Sequence, residues 1–236
     1  MDNETRSNWR RGLVIGAIVM GVGLFFFVPF WSTFGPAIRY SIDNPETTVE
    51  SRADIDALPD HVERLAAPTL DDSDLEYLAQ RVSVTELDLG DNPNVSDDGM
   101  RHVATIKRLE HLSLIRTNVS DKGIRHLRKV PLTYIALWHT KIGDKSLGYI
   151  AEPGTMKQLQ IKGCRNITDK GVAKLSRLEH LWMVNLCECT QITDKSVDTL
   201  SKMPSVNFIQ VFDCPHVTDA AIDRFENAQP GRTVHR

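Results

Sequence analysis

Four cysteines and eight histidines are the side chains of this 236-residue chain best suited to chemistry, and their spacing decides what they can do. Cys164, Cys189 and Cys214 fall 25 residues apart, which places them at one point of a repeated unit rather than around a shared centre. Cys187 and Cys189 form a C-x-C pair, but a zinc hook needs both thiolates on one metal. Cys187 follows the inward-facing Leu186, so strand alternation turns it outward, and the two thiols of the pair are expected to point to opposite faces. His216 follows Cys214 by two positions, with no second Cys–His pair to join it. The remaining histidines, His61, His102, His111, His126, His139, His180 and His235, occupy unrelated positions. The chain has no H-E-x-x-H, no phosphate-cradling glycine loop and no nucleophile elbow. It is therefore read as a non-enzyme, with no cofactor and no metal.

The elements that carry these residues repeat. Ile167-Thr168-Asp169-Lys170-Gly171-Val172 returns as Ile192-Thr193-Asp194-Lys195-Ser196-Val197 and as Val217-Thr218-Asp219-Ala220-Ala221-Ile222. Earlier copies begin at Val95, Val119 and Ile142, and a worn one at Leu70. The aligned aspartates are Asp72, Asp97, Asp121, Asp144, Asp169, Asp194 and Asp219, spaced 25, 24, 23, 25, 25 and 25. Upstream of each lies an alternating apolar pair: Leu87-x-Leu89, Leu112-x-Leu114, Ile135-x-Leu137, Leu159-x-Ile161, Val184-x-Leu186 and Ile209-x-Val211. These predict short strands with one buried face. Downstream, Ile124 and Leu127, Val172 and Leu175, Val197 and Leu200, and Ile222 and Phe225 have helical spacing. A Thr or Ser before Asp suits an N-cap with an acidic first turn. Each unit reads as strand, turn, helix and return, and only stacking can bury its apolar side.

The pattern L-x-x-L-x-L-x-x-C/N-x-x-I-T-D-x-G-L-x-x-L resembles the cysteine-containing subtype of leucine-rich repeat, as in F-box-associated receptors and bacterial repeat proteins. The resemblance covers roughly residues 62–226. It implies an α/β leucine-rich-repeat solenoid, with a curved parallel sheet inside and helices outside. It also implies that Cys164, Cys189 and Cys214, with Asn92 in an earlier unit, point inward as structural residues of the turn. A stack of reduced thiols satisfies this, and a disulfide between neighbouring repeats has an allowed span. Thr117 and Thr140 depart from the pattern, in units one or two residues short. Cys187 is expected as a free thiol exposed on the strand face.

Alternation also gives the outward rows of the strands. They are Glu86, Asp88 and Gly90; His111, Ser113 and Ile115; Tyr134, Ala136 and Trp138; Gln158, Gln160 and Lys162; Met183, Asn185 and Cys187; and Phe208, Gln210 and Phe212. The core does not require large aromatic residues there, and aromatic and Arg side chains concentrate binding energy at interfaces. A protein-binding surface is therefore placed at Tyr134, Trp138, His139, Arg116 and Ile115. Phe208 and Phe212 are assigned either to that surface or to covering the last strand of a sheet at most seven strands wide.

Residues 12–31 are uncharged and almost wholly apolar, long enough to span a bilayer as a helix and longer than the apolar core of a cleaved signal. Arg6, Arg10 and Arg11 precede this run, and an acid-rich flank (Asp43, Glu46, Glu50, Asp54, Asp56) follows it. The expected topology is single-pass, with tail 1–11 cytoplasmic and the repeat domain extracytoplasmic. Gly12, Gly16, Ala17 and Gly21 form small-xxx-small pairs that would permit a weak homodimer through the transmembrane helix. A polar linker (32–60), the repeat domain (61–226, about seven repeats with the first degenerate) and a tail (227–236) complete the chain. With 28 Lys+Arg against 31 Asp+Glu, the net charge of −3 argues against nucleic acid as a partner. The expected function is a membrane-anchored module that binds a protein partner through its concave repeat surface. The alternatives are a substrate-receptor subunit of a ubiquitin ligase, which needs an F-box that residues 12–60 do not supply, or a membrane-complex assembly factor.

Overall fold

The computed structural model describes residues 47–59 and 62–236, all within one unit spanning 44–236. The apolar run 12–31 lies outside the described residues. Among the described residues, no helix is long and apolar enough to cross a membrane.

Among the described residues, nine short strands form one parallel sheet in sequence order. They are β1 (Thr47–Thr48), β2 (Arg64–Ala66), β3 (Glu86–Asp88), β4 (His111–Ser113), β5 (Tyr134–Ala136), β6 (Gln158–Gln160), β7 (Met183–Asn185), β8 (Phe208–Gln210) and β9 (Thr233–His235). The register runs Leu65, Leu87, Leu112, Ile135, Leu159, Val184, Ile209 and Val234 across eight strands. Six of these, Leu87 to Ile209, are the apolar residues that alternation turned inward, and all six are essentially inaccessible. The helices are α1 (Arg52–Asp56), α2 (Asp72–Ala79), α3 (Met100–Val103), α4 (Asp121–His126), α5 (Asp144–Ala151), α6 (Asp169–Val172), α7 (Asp194–Ser201) and α8 (Asp219–Ala228). Ile124, Val172, Val197, Ile222 and Phe225 face the core from them. A strand of three residues buries only one or two side chains, so the cluster is continuous from Val49 to Phe225 because each repeat packs on the next.

The sheet is wider than the seven strands the repeat count predicts. Thr47–Asp56, within the stretch read as a linker, supplies β1, α1 and the buried side chains Val49 and Ile55. Thr233–His235, within the stretch read as a tail, pairs in parallel with β8. Neither segment carries the repeat signature, so periodicity alone did not find them.

The aligned aspartates do more than supply charge to a helix N-terminus. Six of the seven, Asp72 to Asp194, reach forward and accept hydrogen bonds from the next repeat. Asp97 takes the amide of Ser120 at 2.7 Å, its hydroxyl at 2.6 Å and the amide of Gly123 at 2.9 Å. Asp144 takes the amide and hydroxyl of Thr168 at 2.8 and 2.7 Å, and Asp169 those of Thr193 at 2.9 and 2.8 Å. The same Ser or Thr hydroxyl accepts an amide of its own first turn, as Thr168 does from Lys170 at 3.2 Å. One Thr-Asp pair thus caps its own helix and fastens it to both neighbours. The small fifth residue of the motif follows from this contact. A Cβ on Gly123 would lie 2.6 Å from the Asp97 Oδ1 atom, so a side chain there requires the carboxylate to shift. Where serine stands instead, its hydroxyl donates: Ser146 to Asp121 at 2.5 Å and Ser196 to Asp169 at 2.6 Å.

Candidate functional site

Just past each strand from β3 to β8 the chain turns sharply. Asp91, Arg116, His139, Gly163, Glu188 and Asp213 all have positive φ, between 54° and 70°, although five of them carry side chains that resist it. The amides of the first five extend the parallel ladder, for example Arg116 N to Trp138 O at 2.8 Å and Gly163 N to Cys187 O at 2.8 Å. These bonds hold the left-handed turn, which then aims one side chain per repeat along the rim of the strand face. Gly163 is required for a different reason: the His139 imidazole lies where its Cβ would stand.

Trp138 sits half-buried on the strand face, outside the core cluster. Its indole Nε1 donates to Gln160 Oε1 at 3.3 Å, and Asn185 Nδ2 donates to the same oxygen at 3.0 Å. Asn185 Oδ1 in turn accepts the Cys187 amide at 3.0 Å. Three repeats are therefore joined by a self-satisfied polar seam in which Gln160 and Asn185 are buried, and burial makes such pairing obligatory. Alternation had placed both amides outward, but nothing in the sequence showed that they would pair with each other. The signal was their identical position in rows 25 residues apart. Ala136, between Tyr134 and Trp138 on its strand, is inaccessible. The Tyr134 ring meets His111 edge to face at 5.7 Å, and burial, then Asp88 and Glu86, raise its phenol above the usual range.

Arg116 does not stand free beside Trp138. Its guanidinium forms a two-point pair with Asp91 on the preceding repeat, Nη2 to Oδ2 at 2.7 Å and Nε to Oδ1. The bond to Arg116 holds the Asp91 carboxyl below its ordinary range. Farther along the rim, Lys162 and Glu188 pair at 3.0 Å, with His139 at 4.0 Å from the same carboxylate. At the opposite edge of the face, Glu86 accepts from Arg64 at 2.5 Å and contacts His111 at 2.8 Å. The strand face is thus an apolar centre of Tyr134, Trp138 and Ile115 between rows of internally neutralised charge. Phe208 is half-buried and Phe212 is 54% exposed. β9 pairs alongside Phe208, so Phe208 does not close the end of the sheet.

Cys164, Cys189 and Cys214 are buried and unbridged. Each thiol donates back to the preceding repeat: to Leu137 O at 3.1 Å, Ile161 O at 3.3 Å and Leu186 O at 3.1 Å. Asn92 makes the equivalent bonds to Ala67 O and Leu70 O at 3.1 and 2.7 Å. Thr117 and Thr140 bond within their own repeats, to Leu114 O and Leu137 O. Burial pushes the Cys164 and Cys214 thiols up to about 11 and raises Cys189 as well, so none is a nucleophile at neutral pH.

Cys187 departs from expectation. It lies on the strand face but is only 8% exposed. Lys162 and Phe212 flank it in the neighbouring rows, beside the Lys162–Glu188 pair. Native-state alkylation is expected to modify Cys187 first and slowly, with the other three protected until unfolding. Mass mapping that finds Cys164 reacting as fast as Cys187 would contradict this arrangement. Among the described residues, no three His, Cys, Asp or Glu side chains converge on a metal position.

With the stacked geometry established, comparison with known proteins is informative. Residues 82–104 and 155–176 match the family model described as "Leucine Rich repeat". These two stretches have the form of leucine-rich repeats. An internalin from Listeria monocytogenes, 15% identical, superposes with a TM-score of 0.55 over 74% of this chain and 54% of its own. Internalin C2 from the same organism is 19% identical, with a TM-score of 0.47 over 64% of this chain and 61% of its own. The chain therefore spans between half and two thirds of the length of these structures, and the first likeness is one of fold. A search of curated protein sequences found no significant match.

Proposed function

We propose that this chain is a membrane-tethered protein-binding module. A protein partner docks on the strand face of the leucine-rich repeats at Tyr134, Trp138 and Ile115, with His139 and Arg116 at the rim and Phe212 as an outlying contact. Leucine-rich repeats serve as protein-interaction modules, which supports the general reading. The observation that carries the location is the Trp138 indole, half-buried on the strand face and held by Gln160 without belonging to the core. A large aromatic side chain fixed in place before binding loses little entropy on docking.

Trp138→Ala is expected to weaken partner affinity by about 2 kcal/mol, the scale of an interface hot spot. Folding stability should change little, because Gln160 Oε1 keeps its bond from Asn185. The partner for this measurement is obtained by photo-crosslinking from position 115 in intact membranes. Unchanged affinity, or a loss of stability matching the loss of affinity, would remove the strand face from consideration.

The tether assigned to this module is residues 12–31, with the repeats on the extracytoplasmic side. The supporting observation is the bias of Arg6, Arg10 and Arg11 before the apolar run against the acid-rich flank after it. Protease added to intact cells or spheroplasts is expected to remove the repeat domain, and complete protection would reverse the topology.

A further inference from the structure

We propose that the helical side of the domain carries a docking site for an anionic phospholipid surface. Lys122, Arg125, His126, Arg128 and Lys129 line a shallow open depression of about 700 Å³, and all five are exposed. They come from α4 and the 3-10 turn Leu127–Lys129 that continues it. The register explains the cluster: Ile124 and Leu127 turn into the core, so the positions between and after them must face outward. No described carboxylate pairs with Lys122, Arg125, Arg128 or Lys129. On the strand face, by contrast, Arg64, Arg116 and Lys162 each hold one. Four like charges left unpaired repel one another, in a chain whose net charge is −3 and which therefore needs no extra cations for solubility. An external anion relieves that repulsion.

The form of the patch selects among anions. Interface hot spots lie in well-packed, fully desolvated pockets, whereas this depression is open and lined by no apolar side chain. Single-stranded nucleic acid needs rings for its bases to stack on, and apart from His126 there is none. A layer of phosphate headgroups needs only cations on an open surface, each contributing about fivefold to partitioning. Proximity is also provided for, although this part rests on the membrane-anchor reading above. Residues 32–46, fifteen in all, separate the apolar run from β1 and reach at most about 50 Å when extended.

The test uses the full chain in nanodiscs of phosphatidylcholine alone or mixed with phosphatidylglycerol. Acylation of Lys122 and Lys129 by an amine reagent is followed by peptide mass spectrometry, with exposed Lys195 on α7 as the internal reference. In the anionic discs, Lys122 and Lys129 are expected to slow about fivefold relative to Lys195. High salt should restore their rates, and the Arg125→Gln/Arg128→Gln variant should show no slowing. Equal rates in both lipids would overturn the proposal. A chain that does not enter the discs refutes the tether rather than the patch. Anionic vesicles added to that soluble chain then decide the patch, and absence of protection overturns it. Protection by polyglutamate or an oligonucleotide but not by vesicles would likewise overturn the lipid assignment.

Discussion

Asp97→Ala is expected to destabilise the repeat domain by about 3 kcal/mol, whereas Asp98→Ala next to it should cost less than about 0.5 kcal/mol. The two carboxylates are adjacent in sequence and differ in what they hold. Asp98 is exposed and pairs only with Arg101, one helical turn on, a contact of small worth. Asp97 accepts three hydrogen bonds from the next repeat, two of them from amides at the first turn of α4. Those donors have no helical acceptor of their own, and alanine would leave them unpaired in a partly buried seam. In a stacked array the loss falls on one interface. Urea denaturation followed by probes on either side of β4 should therefore show the transition broadening or splitting. Equal effects from the two substitutions would mean that the carboxylate acts only as helix-end charge.

The same seam gives an acid limit. Asp169 is partly desolvated, which by itself would raise it, but bonds from Ser196 and Thr193 outweigh this and hold it below its usual 3.8. Asp194 is lowered by the Thr218 amide and hydroxyl despite some desolvation. A carboxyl depressed in the folded state contributes stability that is present above its unfolded value and lost as pH falls through the folded one. The urea midpoint should therefore drop below about pH 4, and Asp169→Asn should flatten that limb.

Arg232→Ala is expected to cost a similar amount, about 3 kcal/mol, although residues 227–236 have the composition of a tail. The Arg232 guanidinium is buried at 5% exposure. It donates to Ser201 O and Met203 O, both at 2.7 Å, and lies 4.7 Å over the Phe225 ring. It thus caps the carbonyls at the end of α7 while covering the largest fully buried side chain of α8. Its burial is not free of cost, since its Nε has no partner and desolvation lowers its basicity. Arg232→Met, which keeps the packing but not the donors, should therefore fall between wild type and alanine. Ending the chain after Ala228 removes β9 as well and should cost at least as much as alanine. A thermal midpoint unchanged by that truncation would return these residues to the status of a tail.

What the sequence determined is direction. A period of two residues placed Leu87, Leu112, Ile135, Leu159, Val184 and Ile209 inside and Trp138 and Tyr134 on the open face. A recurrence of 23 to 25 residues stacked the units, and Thr-Asp marked the start of their helices. Each of these is a local property of the backbone, written into residue type and spacing. What only the tertiary structure decided is what lies across from each side chain. Asp97 meets Ser120 and Gly123 because stacking brings together groups more than twenty residues apart. Arg116 is neutralised by Asp91 for the same reason. Cys187 faces outward yet is covered, because Lys162 and Phe212 flank it from adjacent rows. β1 and β9 join the sheet without the repeat's signature, since an edge of parallel backbone accepts any strand that can present its amides and carbonyls. Spacing fixes which way a group points, whereas packing against neighbouring repeats fixes whether it is paired, buried or left for a partner.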